Sequence, residues 1–305
     1  MKTIKIKIPA TTSNFGSGYD VLGASLKLYN EFEVNYDLGK VNQDRVNFEI
    51  HGEGKKELPR DKNNIVWKSM NFVFDKLKIS NYVSNIKLTN RIPLTKGLGS
   101  SATARLAGII AANKISGNKL SEKEIIDLAT KFEGHPDNIV PAFYGGLCVC
   151  NYDEKNVIYT KINMPGNLKA VFCIPDFEVL TDKARKILPK KIPHKDAVFN
   201  SSRVALFLTA IIQKKYELLN IAMDDRLHQP YRKKLIPGVD KVFNAANKAG
   251  AFGASISGSG PTILAISNKS LANRIGKSMQ KAFSEHRINS KFIVCDFDNK
   301  GLINE

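Results

Sequence analysis

The run Gly97-Leu98-Gly99-Ser100-Ser101 stands directly before Ala102, Leu106, Ile109, Ile110 and Asn113, which fall at helical spacing. Glycine lets backbone approach a ligand closely, and the unpaired N–H groups of a first helical turn, backed by the helix dipole, attract phosphate oxygens. A polyphosphate is the natural guest. The run is not a Walker A loop, because no Gly-Lys-Ser/Thr ends it, and Ala102 stands near the place of the third glycine in a dinucleotide fingerprint. Spacing alone equally allows a plain glycine-rich start to a helix.

A second group of reactive side chains comes where the next helical pattern stops. Glu133, His135, Asp137 and Asn138 fall within a few residues of Gly134. Phosphoryl transfer from ATP uses Mg²⁺ held by one or two carboxylates and sometimes a hydroxyl, so Glu133 and a serine of the glycine-rich turn have suitable chemistry. Taken alone, the same residues also read as a helix-terminal charge and a loop histidine. The spacing does not make the zinc pattern H-E-x-x-H.

Three further segments can bind ligands. Pro9 to Asp20 is dense in small polar residues and glycine directly after a strand, and there Asn14 and Asp20 could hydrogen-bond a small polar substrate, Asp20 being suited to an ammonium group. Gly258-Ser259-Gly260-Pro261-Thr262 is a second glycine turn between strands. Arg203 and Arg232 carry planar guanidiniums that fork onto carboxylate or phosphate, although in a chain this basic any one arginine also reads as surface charge.

The elements that must position these residues follow from periodicity. Lys2 to Ile8 alternates polar with apolar, a strand pattern and not a signal peptide. The first 165 residues or so read as strands interrupted by two helices, one after Ser101 and one opened by the capping box Ser121-Glu122-Lys123-Glu124 and ended by Gly134. From about Leu168 the pattern restarts with the strand Ala170 to Pro175, then helices near 200–213, 216–224 and 239–249, then strand, glycine turn, strand, a helix over 271–284 and a strand at Phe292 to Val294. This predicts an α+β fold of two domains, 1–165 and 166–305, whose loops meet at a cleft.

Composition limits the alternatives. At 305 residues with 43% hydrophobic content the chain can bury two cores, and it has no run approaching the roughly 18 apolar residues that span a bilayer. Its four cysteines form no C-x-x-C pair, which disfavours a disulfide framework or structural zinc and fits a reducing cytoplasm. The net charge of +17 is mostly scattered lysine, with no basic tail, zinc finger or aromatic RNA-binding motif, so it reads as a solvated surface that favours anionic ligands and not as a nucleic-acid interface.

Taken in order, these segments resemble the GHMP kinase superfamily. Pro93, Leu94, Thr95, Lys96, Gly97, Leu98, Gly99, Ser100, Ser101 and Ala102 look like its phosphate-binding motif, and Gly253 to Thr262 like its carboxyl-terminal glycine motif. Pro9 to Leu22, Glu133 to Asn138 with Pro141-Ala142 and Gly145-Gly146, Asn200 to Arg203, and Asp225 to Arg232 with Pro237-Gly238 are similar to the branch that phosphorylates homoserine. The resemblance implies an amino-terminal domain with a left-handed βαβ unit and a ferredoxin-like carboxyl-terminal domain, with ATP and homoserine between them. It also implies Mg²⁺ on Ser101 and Glu133, a homoserine pocket of Asn14, Asp20, His135, Asn138, Arg203, Arg232 and Gly258, and Asn138 and Arg203 as the residues nearest the chemistry. A homodimer is common in that family, which is one of threonine biosynthesis. Asn138 stands where related kinases place an aspartate base, and an amide cannot take a proton at neutral pH, so the implied transfer needs no strong base. Ser17 replaces a proline usual in the family and Tyr19 a phenylalanine, which puts the flexibility of that loop in question and not the activity. The rivals are a kinase of the same superfamily acting on another alcohol such as mevalonate, an RNA-binding module, and a catalytically silent regulator.

Overall fold

In the computed structural model, which describes residues 1–39 and 46–304, the alternation at the amino terminus becomes β1 (Lys2–Asn14), with Ile4, Ile6 and Ile8 buried and Lys2 and Lys5 exposed. Beyond Ile8 the strand is buried on both faces, because it runs on beneath both halves of the molecule. It pairs antiparallel with the long β2 (Gly18–Tyr36). Then come β3 (Asn47–Gly52), α1 (Ile65–Leu77), β4 (Val83–Asn90), α2 (Ser100–Ile115), α3 (Glu122–Glu133), α4 (Ile139–Tyr144), β5 (Leu147–Tyr152) and β6 (Val157–Ile162).

The second half holds β7 (Leu168–Pro175), α5 (Thr181–Lys186), α6 (His194–Gln213), a 3₁₀ turn at Tyr216–Leu218 running into α7 (Leu219–Ala222), and α8 (Gln229–Arg232). It ends with α9 (Val239–Lys248), β8 (Gly253–Ile256), β9 (Ile263–Asn268), α10 (Ala272–Glu285), β10 (Ser290–Asp296) and β11 (Ile303–Asn304). No helix of the described residues is long and apolar enough to cross a membrane.

The first sheet has the order β11-β1-β2-β4-β3, with β5 and then β6 extending from the early half of β2. Its one parallel pair among the described residues, β3 with β4, is joined through α1 and makes the βαβ unit. The second sheet, β10-β7-β9-β8, is antiparallel throughout. With the α5–α9 segment between β7 and β8 and α10 between β9 and β10, that order is the split βαβ arrangement of ferredoxin-like folds.

One apolar cluster packs α1, α2 and α3 on the first sheet, and another packs α9 and α10 on the second. A third joins the halves, bringing Phe15, Leu22 and Leu98 onto Phe172, Phe207 and Met223. Because this shared core fixes the halves relative to each other, loops from both converge on one cleft. All four cysteines are free and buried.

Two differences from the sequence reading stand out, one in each half. The helix α1 was not among the two expected, and α6 begins at His194, before the expected 200. The capping box at Ser121 is present as read: its hydroxyl accepts from the Glu124 N–H while the Glu124 carboxylate accepts from the Ser121 N–H.

Candidate active site

The cleft between the halves holds a cavity of about 90 Å³ that opens to solvent. The glycine-rich turn forms one wall. Gly99, at φ 72° and ψ 15°, is the N-cap of α2 and has no side chain to cap it, so the first N–H groups of that helix are left for a ligand. The turn is pressed from two sides. The Thr11 N–H donates to the Leu98 carbonyl at 3.2 Å, and the Ser257 hydroxyl donates to the Gly97 carbonyl at 2.7 Å. A Cβ on Gly97 would lie 2.1 Å from the Ser257 carbonyl oxygen, and one on Gly99 would lie 2.0 Å from Thr11 Oγ1.

Gly99→Ala must therefore either push β1 away or turn the free N–H groups aside. We expect it to weaken binding of a nonhydrolysable ATP analogue by at least about tenfold, corresponding to roughly the 1 kcal/mol conformational preference plus the clash. Calorimetry on the folded variant would show this, and unchanged affinity would mean that the turn does not hold nucleotide.

Not every residue of the expected phosphate motif faces the cleft. Pro93, Thr95, Lys96 and the Gly97 to Ser101 stretch line it. Leu94 is not among the lining residues, and Ala102 is fully buried in the core. The Lys96 ammonium donates to the Phe177 and Asp176 carbonyls at 2.7 and 3.2 Å, tying the turn to the second half, and burial lowers its pKa from the ordinary value.

The start of α2 meets the end of α3. The Ser101 hydroxyl lies 3.2 Å from Glu133 Oε2, close to the roughly 3 Å edge of an octahedron with arms of about 2.1 Å, so two hard oxygen donors suited to Mg²⁺ converge here. Arg105, one helical turn after Ser101, places Nη1 against both of these oxygens. Sequence reasoning missed it because its partner Glu133 belongs to another helix.

Beyond the stop at Gly134 the chain folds His135, Asp137 and Asn138 inward, all of them buried. Asp137 is 1% exposed, and its carboxylate accepts from His135 Nδ1 and, at 3.1 Å, from Asn138 Nδ2. Burial opposes charge on both partners of the His135–Asp137 pair, but their mutual attraction outweighs it, raising the pKa of His135 and lowering that of Asp137. The Asn138 amide is fixed in orientation: its oxygen accepts from the Thr11 hydroxyl at 2.7 Å and its Nδ2 donates to Ser13 Oγ at 3.2 Å. One carboxylate or ring nitrogen from each of Asp20, His135 and Asp137 lies within 4.8 Å of the others, a set of metal-capable atoms. Internal partners engage Asp137 and Asp20, as Arg105 engages Ser101 and Glu133; what sets Ser101 and Glu133 apart is their place at the first turn of α2, where the free N–H groups face a phosphate.

The opposite wall carries the charges. Where the chain turns from β1 into β2, Asn14 (φ 75°), Phe15 (φ 46°) and Asp20 (φ 58°) adopt left-handed backbone that side chains disfavour. The Asp20 N–H donates to Asn14 Oδ1 at 3.0 Å, and Asn14 Nδ2 donates to the Gly258 carbonyl at 2.9 Å. Arg185 on α5, which sequence reasoning also missed, forks onto both oxygens of Asp20 at 2.8 and 2.9 Å and donates to the Tyr19 hydroxyl at 3.0 Å. Arg232 on α8 is 2% exposed; it donates to the Gly258 and Ala184 carbonyls at 2.8 and 3.2 Å and packs over the Tyr19 ring at 5.0 Å. No carboxylate among the described residues pairs with it, and burial lowers its pKa from the ordinary value.

Arg203, expected in the pocket, is not among the lining residues. It sits on α6 with its guanidinium 4.4 Å over the Phe199 ring. Gly258 lines the cleft, and its carbonyl serves as the acceptor that fixes Asn14 and Arg232.

His228 buttresses Arg232 from behind. Its Nε2 lies 2.8 Å from the Gly16 carbonyl, which can only accept, so the ring is protonated there and Nδ1 accepts from Arg232 Nη1 at 3.3 Å. Burial holds its pKa down to about 4. A folded pKa below the unfolded value contributes stability that is complete above about pH 6.5 and is lost as pH falls toward 4, about 2 kcal/mol by pH 5. His135, shifted upward, acts in the opposite sense. The comparison that isolates His228 is therefore urea unfolding of wild type and His228→Gln from pH 7.5 to 5. The variant is expected to lose less stability on acidification, and parallel curves would remove His228 as the source.

The sequence matches two family models, GHMP kinases N terminal domain over residues 64–146 and GHMP kinases C terminal over residues 207–285. With the glycine turn at the mouth of α2 and the ferredoxin-like second half, these define the class: the chain belongs to the GHMP kinases. The homoserine kinase of Persephonella marina is 42% identical over 302 residues, covering 99% of this chain and 98% of that protein. That of Caldicellulosiruptor bescii is 44% identical over 300 residues, covering 98% and 95%. The crystal structure of homoserine kinase from Cytophaga hutchinsonii matches with a TM-score of 0.87 at 34% identity, covering 100% of this chain and 98% of that chain. Within the class, the chain is a member of the homoserine kinase family.

Proposed function

We propose that this protein transfers the γ-phosphoryl group of ATP to the side-chain hydroxyl of L-homoserine, giving O-phospho-L-homoserine for threonine biosynthesis. The observation that carries the substrate reading is Arg232: a buried guanidinium without an ionic partner, facing a cleft whose neighbouring charges are the Asp20–Arg185 pair. A buried unpaired cation favours an anionic guest. An amino acid supplies both signs. Its carboxylate meets Arg232 and Arg185, and its ammonium takes over an oxygen of Asp20, so the zwitterion divides one internal ion pair into two contacts. Mevalonate has no ammonium group to offer Asp20.

Chemistry then rests on placement. The N–H groups of α2 would receive the terminal phosphates of ATP, and Ser101 and Glu133 would hold the Mg²⁺. When bound, that ion neutralises charge on the phosphates. The homoserine hydroxyl attacks in line from the side of Asn138. That amide cannot accept the proton, and Asp137, whose Oδ1 accepts from His135 and Asn138, is made a weaker base by His135, so the proton passes late to a phosphoryl oxygen. A loose transition state needs little help from a base. Asn138→Asp is accordingly expected to give a kcat no higher than wild type, because a second carboxylate beside Asp137 adds charge that repels phosphate. A large gain would show that proton removal had been limiting.

A coupled assay of ADP formation over homoserine, serine, threonine and mevalonate tests the assignment. We expect kcat/KM for homoserine to exceed that for mevalonate by at least about 100-fold, since a missing partner for a buried polar group costs roughly 3 kcal/mol or more. Absence of turnover with homoserine would overturn it.

A further inference from the structure

Arg105 bonds the same two oxygens that would hold the metal. Ser101 and Arg105 lie one turn apart on α2, and the guanidinium Nη1 contacts both Ser101 Oγ and Glu133 Oε2. The pair is largely shielded, with the Arg105 side chain 22% and the Glu133 side chain 12% exposed. Glu133 has no other arginine or lysine partner among the described residues; the only other cation-capable group near it is His135, whose Nε2 lies 3.9 Å from Oε1.

We infer that Arg105 is a resident counter-ion of the metal site, which holds Glu133 and Ser101 in place before nucleotide arrives and gives up both oxygens when the divalent cation binds. The inference rests on the assignment of the metal to Ser101 and Glu133 made above. The exclusion is steric and electrostatic. A divalent ion about 2.1 Å from each oxygen would fall among the guanidinium hydrogens, and two cations cannot share so small a volume. A shielded carboxylate without either partner would be uncompensated, so one occupant replaces the other and Glu133 stays neutralised in both states. Arg105 thus acts as a positioning residue with two consequences. It reduces the gain in affinity that the metal brings, and it lets metal-free nucleotide approach, because Glu133 is not left as a bare negative charge beside the phosphates.

The test is a calorimetric cycle with AMP-PNP, bound in excess EDTA and again with saturating Mg²⁺, on wild type, Arg105→Met, Arg105→Lys and Glu133→Gln. The quantity read is the ratio of the metal-free to the metal-loaded Kd. For Arg105→Met the ratio is expected to rise at least about tenfold, through weaker metal-free binding and tighter metal-loaded binding. Arg105→Lys, which keeps the charge on a different stem, should fall between Arg105→Met and wild type. A ratio within twofold of wild type in Arg105→Met, or a smaller one, overturns the proposal. Glu133→Gln separates the two ideas. A ratio near one in that variant supports the metal assignment whatever Arg105 does, whereas an unchanged ratio in Glu133→Gln refutes that assignment, and the Arg105 proposal with it. Should Arg105→Met fold poorly, Arg105→Lys is scored by the same ratio.

Discussion

Glu133→Ala is expected to lower kcat by at least about 100-fold, the order of loss seen when a metal site or the groups that orient it are damaged. Glu133 ends α3 because Gly134, in left-handed conformation, stops the helix there, and this brings its carboxylate to the first turn of α2 beside Ser101. Removing it takes away the one carboxylate at that place and leaves the Arg105 guanidinium without its ion-pair partner, facing the phosphates. A stray cation could mask part of the loss by binding phosphate itself. Glu133→Gln, which keeps the size and one acceptor but not the charge, is therefore measured beside it. Both should show the deficit, and titration with Mg²⁺ should shift the concentration needed for half-maximal rate upward. Turnover within a few-fold of wild type at every Mg²⁺ concentration would remove Glu133 from the metal site.

The features that proved legible were local ones. The alternation from Lys2 to Ile8, the capping box at Ser121 and the glycine turn before Ala102 each encode their structure in a few adjacent residues, and each appears where expected. The helix α1 was also encoded locally. Asn64 caps it and Val66, Met70, Val73 and Phe74 form its buried stripe, yet the reading of this region as strands passed over that period.

What could not be read depends on distant partners. Arg185 lies in a short helix among charged residues, Thr181 to Lys186, and nothing in that stretch says that Asp20, 165 residues earlier, will receive its fork. Arg203 carries the same chemistry in a more suggestive neighbourhood, Asn200-Ser201-Ser202, but there it is Asn200 that turns inward, donating to the Ser17 carbonyl and Asp225. Less than one turn of helix separates the buried Asn200 from Arg203, and neither lines the cleft. Asn138 was found by position, while the reason its amide is held in one orientation, contacts with Thr11 and Ser13, appears only once β1 lies against α4.

Arg232→Met is expected to raise the KM for homoserine by at least about 30-fold, since truncating one partner of a buried charge pair costs roughly 2–5 kcal/mol, while the KM for ATP stays within about twofold. This split is the informative part, because Arg232 also has structural work. It donates to the Gly258 carbonyl, and the turn that holds Gly258 braces the phosphate loop through the Ser257 hydroxyl on Gly97. If bracing were its main role, loss of the guanidinium would loosen the glycine turn and weaken ATP at least as much as homoserine. Two hydrogen bonds from Asn14 and Ser257, to the Gly258 and Gly97 carbonyls, remain to hold that turn without Arg232, so the nucleotide side should be spared. Arg232→Lys sharpens the comparison. An ammonium restores charge but cannot donate to the Ala184 and Gly258 carbonyls while also presenting a planar edge to a carboxylate, so it should recover only part of the homoserine affinity. An unchanged homoserine KM in Arg232→Met would take this residue out of the substrate pocket and leave Arg185 as the carboxylate's partner.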